Sequence, residues 1–249
     1  MPEAPAPPGR SLVVPAYNEE RWLPALLDSV EAARAGCRGG SPSVEVIVAD
    51  NASTDRTAEI AAARGCRVVR VETRSIAAAR NGGARIARGG ILLFVDADSR
   101  IHPRTFDAVD EALESDRVVG GATGVTLDRW SPGIALTFAL MVPLVWGTGM
   151  DTGVVFCRRE DFAAVGGYDE RRRFAEDVFF LLALRRLGRS RRRRLARLRS
   201  VKAVASTRKF DEHGDWHYVR MILSLPLACL LAPRFAAKTV ERYWYRPDR

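Results

Sequence analysis

Two carboxylates one residue apart, Asp96 and Asp98, close the run Ile91-Leu92-Leu93-Phe94-Val95, whose unbroken apolar character predicts a central strand of a parallel sheet, buried on both faces. Ligands of open α/β sheets bind beyond the carboxyl ends of the strands, so this acid pair faces the expected crevice. Carboxylate oxygens are hard ligands, and Mg²⁺ is typically held by one or two of them together with substrate phosphates. A metal-bound diphosphate is therefore the first substrate the spacing suits. The competing use of Asp96-Ala97-Asp98-Ser99 is to turn the chain and cap a helix opened by His102-Pro103-Arg104. A second acid pair, Glu176-Asp177, stands at the head of an apolar helix expected over residues 178–187, where the helix dipole favours negative charge. A general base must be an acid near a bound hydroxyl, and Asp177 is the best-placed candidate; the alternative is a plain N-terminal helix charge.

The elements that would position these groups alternate along the first half of the chain. Residues 10–14 read as a short strand stopped by Pro15, and Asn18-Glu19-Glu20 opens a helix with apolar residues at Trp22, Leu23, Leu26, Leu27 and Val30. Residues 44–49 form a second strand, after which Ser53 or Thr54 is expected to cap a helix over 56–64. Strand 67–71, helix 76–88 and strand 91–95 complete an α/β nucleotide-binding half with short connections. Its strand ends are polar: Pro15-Ala16-Tyr17-Asn18-Glu19 after the first, Asp50-Asn51 after the second, Asp96-Ala97-Asp98 after the fourth. Asp50 or Asn51 can accept a nucleobase imino N–H, Tyr17 can contact the base, and Arg80 can reach the diphosphate. Each has a plainer use, as turn residue, core aromatic or solvated helix charge, but together on one sheet edge they favour a site. The second half is less regular, with strands expected over 118–127 and 153–157, then Gly166-Gly167-Tyr168-Asp169-Glu170 leading to the second acid pair.

With 249 residues, 47% of them hydrophobic and 28% charged, the chain suits one globular α/β domain with a sizeable core. Cys37, Cys66, Cys157 and Cys229 lack metal-ligand spacing and read as buried or idle thiols in a reducing compartment. Residues 1–9 are expected to be a flexible tail without a signal-peptide pattern. The net charge of +9 is concentrated between Arg185 and Arg199, a run suited to a polyanion or an anionic lipid surface, or simply to solvent. No nucleic-acid-binding signature accompanies it. Residues 130–150 carry no charge, yet Pro132, Gly133, Pro143, Gly147 and Gly149 interrupt them. A span there would also put the two acid pairs on opposite sides of a bilayer. Residues 221–233 read as an interfacial or groove-lining helix, followed by Arg234, Lys238, Arg242 and Arg246.

The ordered set Val13-Val14-Pro15-Ala16-Tyr17-Asn18-Glu19-Glu20, Asp50-Asn51-Ala52-Ser53-Thr54-Asp55, Ala79-Arg80-Asn81-Gly82-Gly83, Asp96-Ala97-Asp98, Gly166-Gly167-Tyr168-Asp169-Glu170 and Glu176-Asp177 resembles family 2 glycosyltransferases over roughly residues 10–188. These are inverting enzymes of the GT-A fold. The resemblance implies a GT-A domain over 10–210, with a nucleotide-sugar half at 10–100 and an acceptor half at 101–210, and leaves 211–249 as an amphipathic helical extension. It implies a nucleotide-diphosphate-sugar donor bound by Pro15, Ala16, Tyr17, Glu19, Asp50, Asn51, Arg80, Asp96 and Ala97. It also implies Mg²⁺ or Mn²⁺ on Asp98 with Asp96 assisting, Asp177 as base, and Gly167, Tyr168 and Glu176 on the acceptor side or in support. Many members carry a metal-proximal His where this chain has Ala205-Ser206-Thr207-Arg208-Lys209-Phe210. His213 or His217 is then a candidate substitute ligand, or Arg208 and Lys209 neutralise the diphosphate directly. The processive Gln-x-x-Arg-Trp motif is absent, which points to transfer of a single sugar. The acceptor is open and includes a lipid-linked one, reached from a cytoplasmic position with peripheral contact at the inner membrane face. The rivals are a sugar nucleotidyltransferase, which would carry a Gly-rich basic loop after the first strand, and a non-catalytic basic binding protein.

Overall fold

In the computed structural model, residues 8–148, 151–172 and 175–222 are described, with side chains omitted for 142–148. Among them the order is β1 (Arg10–Ala16), α1 (Leu23–Gly36), a 3₁₀ turn (Ser41–Ser43), β2 (Val44–Asp50), α2 (Thr57–Ala63), β3 (Arg67–Arg70), α3 (Ile76–Ile86) and β4 (Ile91–Phe94). There follow α4 (Thr105–Leu113), β5 (Val118–Leu127), α5 (Pro132–Thr148), β6 (Val155–Arg158), α6 (Arg159–Val165), α7 (Glu176–Ser190), β7 (Arg194–Ala205) and α8 (Arg208–His213). The strands form one sheet in the order β3-β2-β1-β4-β6-β5-β7, in which only β6 runs against its neighbours. The boundary expected at residue 100 thus falls within one continuous sheet. The expected tail lies outside the described residues up to position 7, as do Cys229 and the C-terminal stretch from 223 onward.

The strands alternate side chains between two buried faces, as their period of two requires. Leu12, Val14, Val46, Val48 and Leu93 pack under α1, α2 and α4, against Leu26, Val30, Ala61, Phe106 and Val109. Val13, Ile47, Leu92 and Phe94 point the other way, toward Ala77 and Ala84 of α3 and Phe180, Leu181 and Leu184 of α7. Covering both faces explains why these strands read as continuous apolar runs. Helix α3 lies close on the sheet because Gly83 has no Cβ; one added there would overlap Val13 Cγ1. Gly83→Ala should therefore lose about 1 kcal/mol or more in denaturant unfolding, overpacking outweighing the helix propensity gained. Equal stability would mean that α3 lifts off β1 without penalty.

Three local expectations are corrected. Helix α1 starts at Leu23, with Pro24 in its first turn, not at Asn18, because Asn18 takes a left-handed φ of 52° that a helix cannot continue. Ser53 and Thr54 do not cap α2. Asp55 Oδ1 accepts from Thr57 N at 2.9 Å, while Ser53 Oγ accepts from Asn18 N and Thr54 N donates to Asn18 Oδ1, tying the β1 and β2 loops together. The arginine run is not one solvated segment: it spans the end of α7 and enters the twelve-residue β7. Arg191 meets the fully buried Asp161 at 2.5 Å, and Arg197 meets Asp151 at 2.6 Å, so part of the charge is neutralised internally.

Candidate active site

The carboxyl ends of β1, β2 and β4 open into one cleft lined by Pro15, Ala16, Tyr17, Glu19, Asn51, Arg74, Ile76, Ala79, Asp96, Ala97, Asp98, Arg208 and Lys209. The acids after β4 do not cap the next helix. Arg104 occupies the N-cap of α4 without a side-chain bond, and Ser99 N donates to the Asp96 carbonyl at 3.1 Å, closing the turn after β4. Asp96 and Asp98 are thus left to the cleft, with side chains 57% and 20% exposed. Burial and the neighbouring Asp96 charge push the Asp98 carboxyl above its usual range, while Arg208 pulls it down. Arg208 Nε lies 2.9 Å from Asp98 Oδ2, and its two Nη groups bind Glu19 as a fork at 2.7 and 2.8 Å. In the free protein a guanidinium therefore supplies the positive charge that Asp98 and Glu19 require.

Two carboxylates that reach the cleft fit a divalent cation whose remaining ligands come from phosphate and water. Among the described residues no group of three or more His, Cys, Asp or Glu side chains converges on a metal position. His213 closes α8 with Nδ1 3.9 Å from Glu212 and is not among the cleft-lining residues, whereas Arg208 and Lys209 are.

At the end of β2 the two candidate base contacts are unequal. Asn51 lines the cleft, but its amide donates to the carbonyls of Val71 and Thr73 and accepts from Ser75 N, latching the loop that starts α3. Asp50 is buried behind it, with Oδ1 accepting from Ser53 N and Oδ2 only 3.5 Å from Arg70. The Tyr17 ring is covered by the Arg74 guanidinium at 3.6 Å, a contact that the sequence reading missed.

Arg80 is buried, 3% exposed, and does not line the cleft. Its Nη2 donates to Asp96 at 2.8 Å, and its Nη1 donates to Asp177 at 2.7 Å and Glu176 at 3.1 Å. Asp177 also accepts from the Tyr168 hydroxyl at 3.1 Å. Burial pushes the Asp177 carboxyl up to about 6 against the opposing pull of Arg80. Gly167, with a left-handed φ of 72°, turns the chain into Tyr168, whose backbone exchanges hydrogen bonds with the Asn81 amide at 2.8 and 2.9 Å. Adjacent residues on α3 thus serve both sides: Arg80 the carboxylates, Asn81 the loop that carries Tyr168. The role of Asn81 escaped the sequence reading, although its adjacency to Arg80 was the available signal.

The far rim is built from the second half. Helix α5 follows Arg129, which pairs with Asp211 and Asp215 in and just beyond α8, the helix whose first residues, Arg208 and Lys209, line the cleft. It exposes Leu136, Leu140 and Met141, next to an exposed Trp130. Among the described residues no helix is long and apolar enough to cross a membrane. The arginine turn lies elsewhere. Helix α7 runs fifteen residues, roughly 22 Å, from Glu176 away from the cleft, and β7 enters the sheet at its opposite edge, with Arg194 beside Val118. Met221 and Ile222, the described start of the 221–233 stretch, follow the segment in which Asp215 pairs with Arg129. The remainder of that stretch lies outside the described residues.

Residues 11–182 match the sequence model of the family described as Glycosyl transferase family 2. An uncharacterized glycosyltransferase of Haemophilus influenzae is 31% identical over 189 residues, covering 70% of this chain and 61% of the relative. A dolichyl-phosphate beta-glucosyltransferase of Drosophila melanogaster is 38% identical over 114 residues, covering 42% of this chain and 35% of the relative. The chain thus spans less than two thirds of the length of these relatives. Among solved structures, glucosyl-3-phosphoglycerate synthase from Mycobacterium tuberculosis, in complex with Mn²⁺, UDP and phosphoglyceric acid, superposes with a TM-score of 0.59 at 23% identity, covering 87% of this chain and 78% of that one.

Proposed function

The chain belongs to glycosyl transferase family 2 and has the GT-A fold, and from that premise we propose that it moves a single sugar from a nucleotide-diphosphate-sugar to an acceptor hydroxyl, with inversion at the anomeric carbon. What supports the reading is the Arg80 guanidinium, which joins Asp96 at the end of β4 to Asp177 at the head of α7, while Asp98 lines the same cleft as Asp96. Asp98 and Asp96 would hold Mg²⁺ or Mn²⁺, as the Mn²⁺ in the synthase complex suggests, and the bound cation would stabilise negative charge on the departing diphosphate. Arg208 and Lys209 add positive charge on the same side. Pro15, Ala16 and Tyr17 frame the nucleotide, and the end of β2 contacts its base. Asp177 takes the acceptor proton as that oxygen attacks from the face opposite the leaving group.

A thermal-shift screen of UDP, GDP, dTDP and their sugars, with and without Mn²⁺, tests this reading, because a ligand of the native state raises its stability by mass action. A Mn²⁺-dependent shift with at least one nucleotide, followed by slow release of free sugar from its donor, is expected. Pyrophosphate release would make the protein a nucleotidyltransferase, and no shift with any of them would leave only a binding role.

A lipid-linked acceptor is favoured by one observation, the exposed apolar face of α5, and by the lipid-phosphate activity named for the Drosophila relative. Such an acceptor places the enzyme at the inner membrane face. Vesicle co-sedimentation is expected to detect binding, and replacing Leu136 and Leu140 by Ser should weaken it about tenfold or more for each leucine that inserts. Undiminished binding in that variant would remove α5 as the contact; absence of any binding would point to a water-soluble acceptor.

A further inference from the structure

We infer that Arg80 is a positioning residue that fixes the donor-side carboxylate Asp96 and the base Asp177 in one geometry, and that, with Tyr168, it selects Oδ2 of Asp177 as the atom that receives the acceptor proton. The inference deepens the transferase reading and rests on it. Arg80 Nη1 and the Tyr168 hydroxyl both donate to Asp177 Oδ1, at 2.7 and 3.1 Å. Asp177 Oδ2 receives no donor among the described residues, and the side chain retains 17% exposure. An oxygen with two donors is a poor proton acceptor, so the open oxygen is the reactive one.

The donors themselves are held firmly. The Tyr168 ring stacks on Phe180 at 4.2 Å and meets the Phe94 edge at 5.2 Å, and Asn81 binds the Tyr168 backbone on both sides. Arg80 sits in the buried face of α3 with its Nε lacking a hydrogen-bond partner, so its planar fork is committed through Nη1 and Nη2 alone. No rotation of the guanidinium serves Asp177 without also moving Asp96, and this ties the two sides of the cleft together. A lysine offers one point charge and cannot reproduce a planar bridge.

The test is Arg80→Lys, measured for UDP binding with Mn²⁺ by thermal shift, for donor KM and for transfer kcat with the donor the screen identifies. Expected are nucleotide binding and donor KM weakened by no more than about tenfold, through Asp96, and a transfer kcat lower by about 100-fold, the penalty of a base misplaced by about 1 Å. Donor hydrolysis should fall much less, so the hydrolysis-to-transfer ratio rises. In an Asp177→Asn background the same substitution should cost transfer much less than in the wild-type protein, because only its hold on Asp96 is left to lose. A transfer kcat within threefold of wild type would overturn the inference, as would parallel loss of UDP binding and turnover, which would make Arg80 a donor ligand. Equal losses in the wild-type and Asp177→Asn backgrounds would reduce it to a structural residue. If Arg80→Lys fails to fold, Tyr168→Phe carries the test: transfer kcat should drop about tenfold with UDP binding unchanged, and an unchanged kcat overturns the inference. Failure of the transferase reading itself is separable, since it appears in the wild-type protein as absence of any nucleotide-dependent shift.

Discussion

Asp177→Asn is expected to lower sugar transfer by about a thousandfold, within the usual range for loss of a general base, while UDP or GDP binding changes by no more than about threefold. Asparagine keeps the shape and cannot accept the acceptor proton. Arg80 retains Asp96 and Glu176 as partners, so the donor side of the cleft stays in place. Burial holds the Asp177 carboxyl at about 6, above the ordinary aspartate range, even with Arg80 opposing it. The base is the deprotonated form, so wild-type kcat/KM should be level above pH about 6 and fall roughly tenfold per unit below it. The residual activity of Asp177→Asn should lack that acidic limb. Equal loss of nucleotide binding and turnover would instead move Asp177 to the donor side.

The first half of the fold was legible because its strands are central. Residues 10–16, 44–50 and 91–94 are covered on both faces, and only continuous apolar runs satisfy that burial. The polar groups at their ends were legible for the complementary reason, that a buried strand gives way to polar residues where solvent or ligand begins. β7 was not, because as an edge strand of half-exposed residues it tolerates Arg194, Arg197, Arg199 and Lys202 in sequence. Its charges are offset by Asp151, and those of the preceding turn by Asp161, at separations of 46 and 30 residues that no local pattern reports. Arg80 was the sharpest loss. As a lone helix arginine it read as solvated or phosphate-facing, and only the fold brings it to carboxylates 16, 96 and 97 residues away. Asn51 and Asn81 share this character: each amide latches a loop through backbone groups that become neighbours only after folding.

Asp98→Asn should lower UDP or GDP affinity measured with Mn²⁺ on the order of 100-fold, since even outer-shell partners of a metal site are worth 10- to 100-fold. Asp98 is the more buried of the two acids after β4; burial and the Asp96 charge push its carboxyl up, and a neighbouring cation pulls it back down. Without metal that cation is Arg208, which also holds Glu19. Asparagine keeps the shape of the turn but removes one charge from the pair, leaving Asp96 to hold Mn²⁺ without its partner carboxylate. The same change frees the Arg208 side facing residue 98 to meet phosphate. Metal-free nucleotide binding should therefore stay unchanged or tighten, and the ratio of affinities with and without Mn²⁺ should fall toward one. Titrating UDP and GDP against the variant in Mn²⁺ and in a chelator measures that ratio directly. A ratio equal to that of the wild-type protein would take the metal away from Asp98, and with it the donor geometry built on the end of β4.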